Sequence, residues 1–305
     1  MAVSSASLGF QCHGRSISLP SRLQPNSTKI ETELNKLKTW EVSSVSAAAP
    51  LNTESIQKGL IGLAELYNSL EELVHSPATQ QALLHHHHDI LVEDALEASI
   101  GLLDSCGAIR DLMSMMKEQV HDLQSALRRK GGDSSIDNNI SAYFSFRKRV
   151  KKEISKNLRA LKQMENNVGA SPPLDANHHV SLVTRLQREV TSITISVFRS
   201  LLLFVSVPSS ITNPNGWSLI SKLMLTRSVA SGKGHGIMNE AGSVDLALKS
   251  LHDHIKNNSA RVGVKMASER LKTLDSGIEG LEAGLSSLFR QLIKSRVSLL
   301  NIFAQ

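Results

Sequence analysis

A chain of 305 residues with 41% apolar side chains has a globular composition and can bury a sizeable core as one large domain or two ordinary ones. Aromatics make up only 4%, so Leu, Val, Ile and Ala must fill the interior, which suits helix packed on helix. Two cysteines, Cys12 and Cys106, exclude a disulfide framework and point to a reducing compartment, the cytoplasm first; the net charge of +6 says less than its distribution.

Residues 51 to 109 carry nine acidic side chains against Lys58 alone, and residues 147 to 162 carry eight basic ones against Glu153. Segments of opposite sign are expected to face each other in the fold; a basic patch kept for an external partner is the alternative.

Along the chain, residues 1 to 28 hold seven serines and no acid, and Pro20 and Pro25 break any helix. Such a stretch buries too little apolar surface to offset ordering, so a disordered arm is expected over residues 1 to 50, with a short helix from Lys29 to about Val45. Its composition also resembles an organelle transit peptide, the less favoured reading. A helical domain is expected from residue 51 to 305. Thr53 is expected to cap a helix with the stripe Ile56, Leu60, Leu63, Leu66, Leu70 and Leu73, which Ser76-Pro77 ends. Helical periodicity resumes there and runs through Leu91, Leu102, Ile109, Met116, Val120 and Leu127 to Gly131-Gly132.

From Asp133 to about Val168 the pattern is amphipathic. At about 100° per residue, Val150, Ile154, Leu158, Leu161 and Met164 cluster on one side, and Lys148, Lys152, Lys156, Arg159 and Lys162 nearly opposite. Pro172-Pro173 marks a turn. A helix from about Ala176 to Val207 follows; its apolar run from Ile193 contains Arg199 and is shorter than the roughly twenty residues a membrane span needs, so it reads as a core helix. A polar loop, a short helix from Trp217 to Met224 and a glycine-rich loop near Gly232 to Gly236 precede helices from about Ser243 to Asn258 and Val262 to Phe303. In the last one, Leu271, Leu274, Ile278, Leu281, Leu285, Leu288, Leu292, Leu299 and Ile302 form a heptad seam with Ser295 as its lapse. The seam predicts an intramolecular bundle ahead of a coiled-coil dimer. Gly277, Gly280 and Gly284 interrupt it at about 1 kcal/mol each relative to alanine, which is tolerable if a neighbouring helix approaches closely there.

No residue is assigned to catalysis, a cofactor or a metal. Consecutive histidines, His85 to His88, point around a helix instead of converging and read as a solvated run. Cys106 falls on an apolar stripe, where an inert thiol is the default. Gly232-Lys233-Gly234 lacks the flanking residues and preceding strand of a phosphate loop. The run Arg147-Lys148-Arg149-Val150-Lys151-Lys152 suits phosphate, nuclear import or anionic lipid, against a merely solvated face. Tyr143, Phe144 and Phe146 just before it are assigned to packing, which makes nucleic acid the weaker partner. In the arm, Arg15 lies three residues before Ser18 and Pro20 two after it. That spacing suits a basophilic kinase and capture of the phosphoserine by 14-3-3 proteins.

Several segments occur together in order: Arg15 to Arg22, Pro77 to Leu83, Leu103 to Cys106, Leu127 to Lys130, the basic helix at Arg147-Lys148, Gly216 to Met224, Leu281 to Arg290, and Arg296 to Asn301. In this the chain resembles the plant-specific family once called domain of unknown function 241, grouped with BYPASS-related proteins. The resemblance spans nearly the whole chain; the four-histidine run and the Gly232 to Gly236 loop depart from it. It implies roles in root and shoot development, associates no enzyme chemistry with the chain, carries over no catalytic residue, and accounts for the arm without a transit peptide. The expected whole is an all-α bundle of long, mostly antiparallel helices serving as a non-catalytic adaptor or regulatory protein. The alternative is a peripheral membrane or nuclear factor binding anionic lipid or nucleic acid through residues 147 to 162.

Overall fold

A computed structural model describes residues 25–46, 51–84, 90–129, 133–170, 178–206, 238–256 and 260–303, and every element among the described residues is an α-helix. They are α1 (Pro25–Ser46), α2 (Thr53–Val74), α3 (Pro77–Leu84), α4 (Ile90–Arg128), α5 (Asp133–Ala170), α6 (His178–Val205), α7 (Glu240–Lys256) and α8 (Ala260–Phe303). The expected arm around Ser18, the four-histidine run, the Trp217 helix and the Gly232 to Gly236 loop lie outside the described residues.

The longest helix, α8, organises the bundle and packs most extensively on α4, α2 and α7. Its seam is what it buries: Leu271, Leu274, Ile278, Leu281, Leu285, Leu288 and Leu292 are at most 2% exposed, and Leu299 is buried too. Of Ile302 only the helical backbone is described. Where the seam lapses at Ser295, a polar contact closes the register one turn on: buried Ser298 donates to the Glu71 carboxylate of α2. The helix α8 runs in the same direction as α2, since Thr53 meets Gly277, Leu60 meets Gly284, and Glu71 meets Ser298. It runs antiparallel to α4, as Arg296 bonds Ser99, Lys117 bonds Glu282 and His121 bonds Asp275. Antiparallel pairing also joins α1 to α2 and α5 to α7, while α1 lies parallel to α6.

The seam glycines set the spacing between α2 and α8. A Cβ added at Gly277 would lie 2.5 Å from Thr53 Cγ2, one at Gly280 2.8 Å from Gln57 Nε2, and one at Gly284 3.0 Å from Leu60 Cδ1. One face of α8 is thereby stripped of side chains so that α2 lies directly against its backbone.

Helix ends are tied to one another. Asn52, not Thr53, caps α2: its Oδ1 accepts from Ser55 N at 2.8 Å, while Thr53 is the first helical residue. Thr53 instead donates its backbone N and hydroxyl to Glu240 Oε1, at 3.1 and 2.7 Å, linking the starts of α2 and α7. Asn239 accepts from Gly242 N at 2.8 Å and donates to the Phe204 carbonyl at 2.9 Å, so the start of α7 is fastened to the end of α6.

The first helix is part of the bundle. Ile30, Leu34 and Leu37 are at most 4% exposed, and the Trp40 indole donates to Ser55 O at 2.8 Å while lying over Gly59. The packed unit therefore begins upstream of residue 51. On α6, Val197, Phe198, Leu201, Leu202 and Phe204 are buried in the core, and no helix among the described residues is long and apolar enough to cross a membrane.

Candidate functional site

The fifth helix divides its residues by face. Tyr143, Phe146, Val150, Ile154 and Leu161 are buried against the core, and Tyr143 meets Phe144 edge to face with centroids 5.7 Å apart. On the other side Lys148, Lys152, Lys156, Arg159 and Lys162 are all exposed, as are Arg149 and Lys151. Lys162 is paired with Glu165 at 3.0 Å, and Glu165 also takes Arg199 at 3.0 Å. Burial would raise the Glu165 carboxyl, but the hydrogen bond from Lys162 and the Arg199 charge outweigh it and hold the group below the usual glutamate value. The remaining four of the row, Lys148, Lys152, Lys156 and Arg159, make no ion pair among the described residues. Eleven steps of about 1.5 Å from Lys148 to Arg159 make this a cationic strip of about 16 Å.

Arg147 does not belong to that strip. It is 3% exposed and donates through Nη2 to Asp245 Oδ2 at 2.7 Å, through Nε to Asp245 Oδ1 at 3.0 Å, and through Nη1 to the Val205 carbonyl. Tyr143 adds its hydroxyl to Asp245 Oδ1 at 2.8 Å. Burial drives the Tyr143 phenol well above its ordinary value, and Asp245 reinforces this, so it stays a donor. The cluster pins α5 to α7 and to the end of α6, fixing the rotation that turns the lysines outward. A pattern in the sequence does mark it: Arg147 lies four residues after Tyr143 and three before Val150, on the apolar stripe, and Asp245 likewise lies between Ala241 and Leu248.

Acidic residues of α4, Asp94, Glu97 and Asp104, line a cleft that only Lys156 of the basic row reaches. It has a volume of about 630 Å³ and is lined by α4 from Asp94 to Ala108, by α5 from Lys156 to Val168, and by α6 from Thr184 to Thr191. Arg188 also lines it, and its Nη2 is buried without a hydrogen-bond partner among the described residues. An unsatisfied buried donor costs about 1–3 kcal/mol, and more when charged. Nothing in the sequence singled out Arg188, because three separate helices build the walls around it.

Other groups are engaged structurally. Burial pushes the Cys106 thiol up to about 12, against a smaller opposing pull from Arg110, so it is no nucleophile at neutral pH. Arg110 lies over the Phe289 ring, 4.9 Å from its centroid. His252 bonds Asp137, and among the described residues no group of three or more His, Cys, Asp or Glu side chains is placed to hold a metal. Ser18, Arg15 and Pro20 lie outside the described residues.

No curated protein and no solved structure matches the chain. The family model described as Protein BPS1 matches residues 59–302, which takes in every helix from α3 to α7 and most of α2 and α8. The chain belongs to this plant-specific BPS1 family, the BYPASS-related group that its sequence resembles.

Proposed function

We propose that the protein is a non-catalytic helical adaptor in plant root and shoot development, which docks an acidic surface of a partner protein on the exposed cationic strip of α5. Family membership supports the developmental role. The observation that carries the docking is the row Lys148, Lys152, Lys156 and Arg159, unpaired among the described residues, on a helix whose rotation is fixed by the buried Arg147–Asp245 pair. Elsewhere on the molecule, cations such as Lys38, Lys117 and Arg185 are met by carboxylates of neighbouring helices. A row left uncompensated speeds and selects encounters with negative surfaces.

The chemistry of the strip favours protein over bilayer or nucleic acid. None of the exposed large apolar residues lies on α5, so the strip offers no wedge for insertion into lipid. Tyr143 and Phe146 are buried, so they cannot stack on bases. Peripheral attachment to anionic lipid is the second reading, since unpaired lysines alone suffice for a salt-sensitive contact. In the arm, phosphorylation of Ser18, with Arg15 and Pro20 in place, supplies a regulatory input read by 14-3-3 proteins. Cytoplasm is the expected compartment.

The test is a Lys148→Glu, Lys152→Glu, Lys156→Glu, Arg159→Glu chain, checked for an unchanged urea midpoint and compared with wild type by proximity labelling in root cells. Docking predicts a changed partner set. A folded variant with the wild-type partner set sinks it, and if flotation with phosphatidylserine vesicles is lost in that variant, the membrane reading takes its place. For the arm, Ser18→Ala leaving 14-3-3 co-purification intact removes that part alone.

A further inference from the structure

We propose that the cleft between α4, α5 and α6 binds a small amphipathic monoanion, a carboxylate or sulfate headgroup on an apolar body, with Arg188 receiving the headgroup. The volume of about 630 Å³ is that of a small-molecule site. Ala98, Gly101, Ala160, Met164 and Val168 supply apolar wall. Gly101 matters to its shape: an added Cβ would lie 2.8 Å from Met164 Cε, so the thioether rests directly on the α4 backbone and gives the wall a soft, adaptable surface.

The headgroup assignment rests on Arg188. Of the three arginines of α6, Arg185 meets Glu31 and Glu189, and Arg199 meets Glu165. Arg188 alone has no carboxylate partner among the described residues, although it lines the cleft and its Nη2 is buried. Arg188 is half-buried, with Nη2 closed off, and a turn of its side chain toward the cleft would present a planar fork matched to a ligand's carboxylate or sulfate oxygens and satisfy the orphaned donor. Lys156 adds a second cation at the mouth. Asp94, Glu97 and Asp104 line the same cleft, the last two exposed, and oppose any second negative charge, which selects monoanions.

The full chain is titrated with octanoate, octyl sulfate, octylamine and octanedioate, following heat release and the thermal unfolding midpoint. Octanoate or octyl sulfate is expected to bind saturably and raise the midpoint; whichever binds tighter identifies the headgroup. Octylamine and octanedioate are expected to bind more weakly. Arg188→Gln should weaken binding by about tenfold or more, and Ala160→Phe, on the exposed edge, should block it without disturbing the core. Reversing Lys148, Lys152 and Arg159, outside the cleft, should leave it unchanged, which separates this site from the docking strip. If neither anion binds the wild-type chain, or if folded Arg188→Gln binds octanoate as well as wild type does, the proposal is wrong.

Discussion

Two charged residues, Arg147 and Asp245, sit where apolar side chains would ordinarily pack, and their pairing carries more consequence than any surface charge. The two ions are 3% and 5% exposed, so each is tolerable only because the other is present. Asp245→Ala should leave a guanidinium buried beside Tyr143 and lower stability by about 3–5 kcal/mol in urea unfolding. A joint Arg147→Met, Asp245→Leu replacement should recover most of that loss; failure to recover would assign the loss to packing. On the exterior, Glu189 titrates differently. Burial raises its carboxyl, but hydrogen bonds from Lys38 and Arg185 outweigh this, so its folded value is held below the ordinary one. Its contribution is therefore present above the ordinary glutamate value and lost as pH falls through the folded one. The gap in urea midpoint between wild type and Glu189→Gln should be widest near neutrality and close below about pH 4. A gap that grows on acidification would contradict the assignment.

At the scale of elements, the contact between α2 and α8 depends on missing side chains. Gly284→Leu would drive a side chain into Leu60, whose Cδ1 stands 3.0 Å from the Cβ position, and should destabilise by about 1–3 kcal/mol. Gly107 in α4 provides the control, since a Cβ there meets nothing within 4 Å, and Gly107→Ala should stabilise by about 1 kcal/mol. Two helical glycines thus respond with opposite sign, and thermal unfolding of the pair distinguishes helix propensity from interhelical spacing. The need for a close neighbour at Gly277, Gly280 and Gly284 was readable from an otherwise apolar seam. That the neighbour is the start of α2 was not, because more than two hundred residues separate them.

For the whole molecule, the packed unit includes α1. A chain that begins at residue 51 loses Ile30, Leu34 and Leu37 from the core, each worth about 1.5–3 kcal/mol when fully buried, and should unfold at a clearly lower urea concentration. An unchanged midpoint would mean that α1 is an accessory. The candidate strip was legible in sequence at Lys148, Lys152, Lys156, Arg159 and Lys162, since residues three or four apart share a helix face. Reading Arg147 by its charge placed it with them; reading it by its position on the stripe would have turned it inward.

The sequence by itself determined that the chain is helical, where most helices begin and end, and which stripe each one buries. Those properties are local: periodicity, proline and glycine act within a few residues. Tertiary structure decided which stripe meets which, that Arg147 finds Asp245, and that Arg188 lines a cleft with no ion-pair partner among the described residues. Such outcomes depend on contacts between distant segments, as when Arg296 bonds Ser99, and hydrophobic burial alone is indifferent to which apolar face it covers.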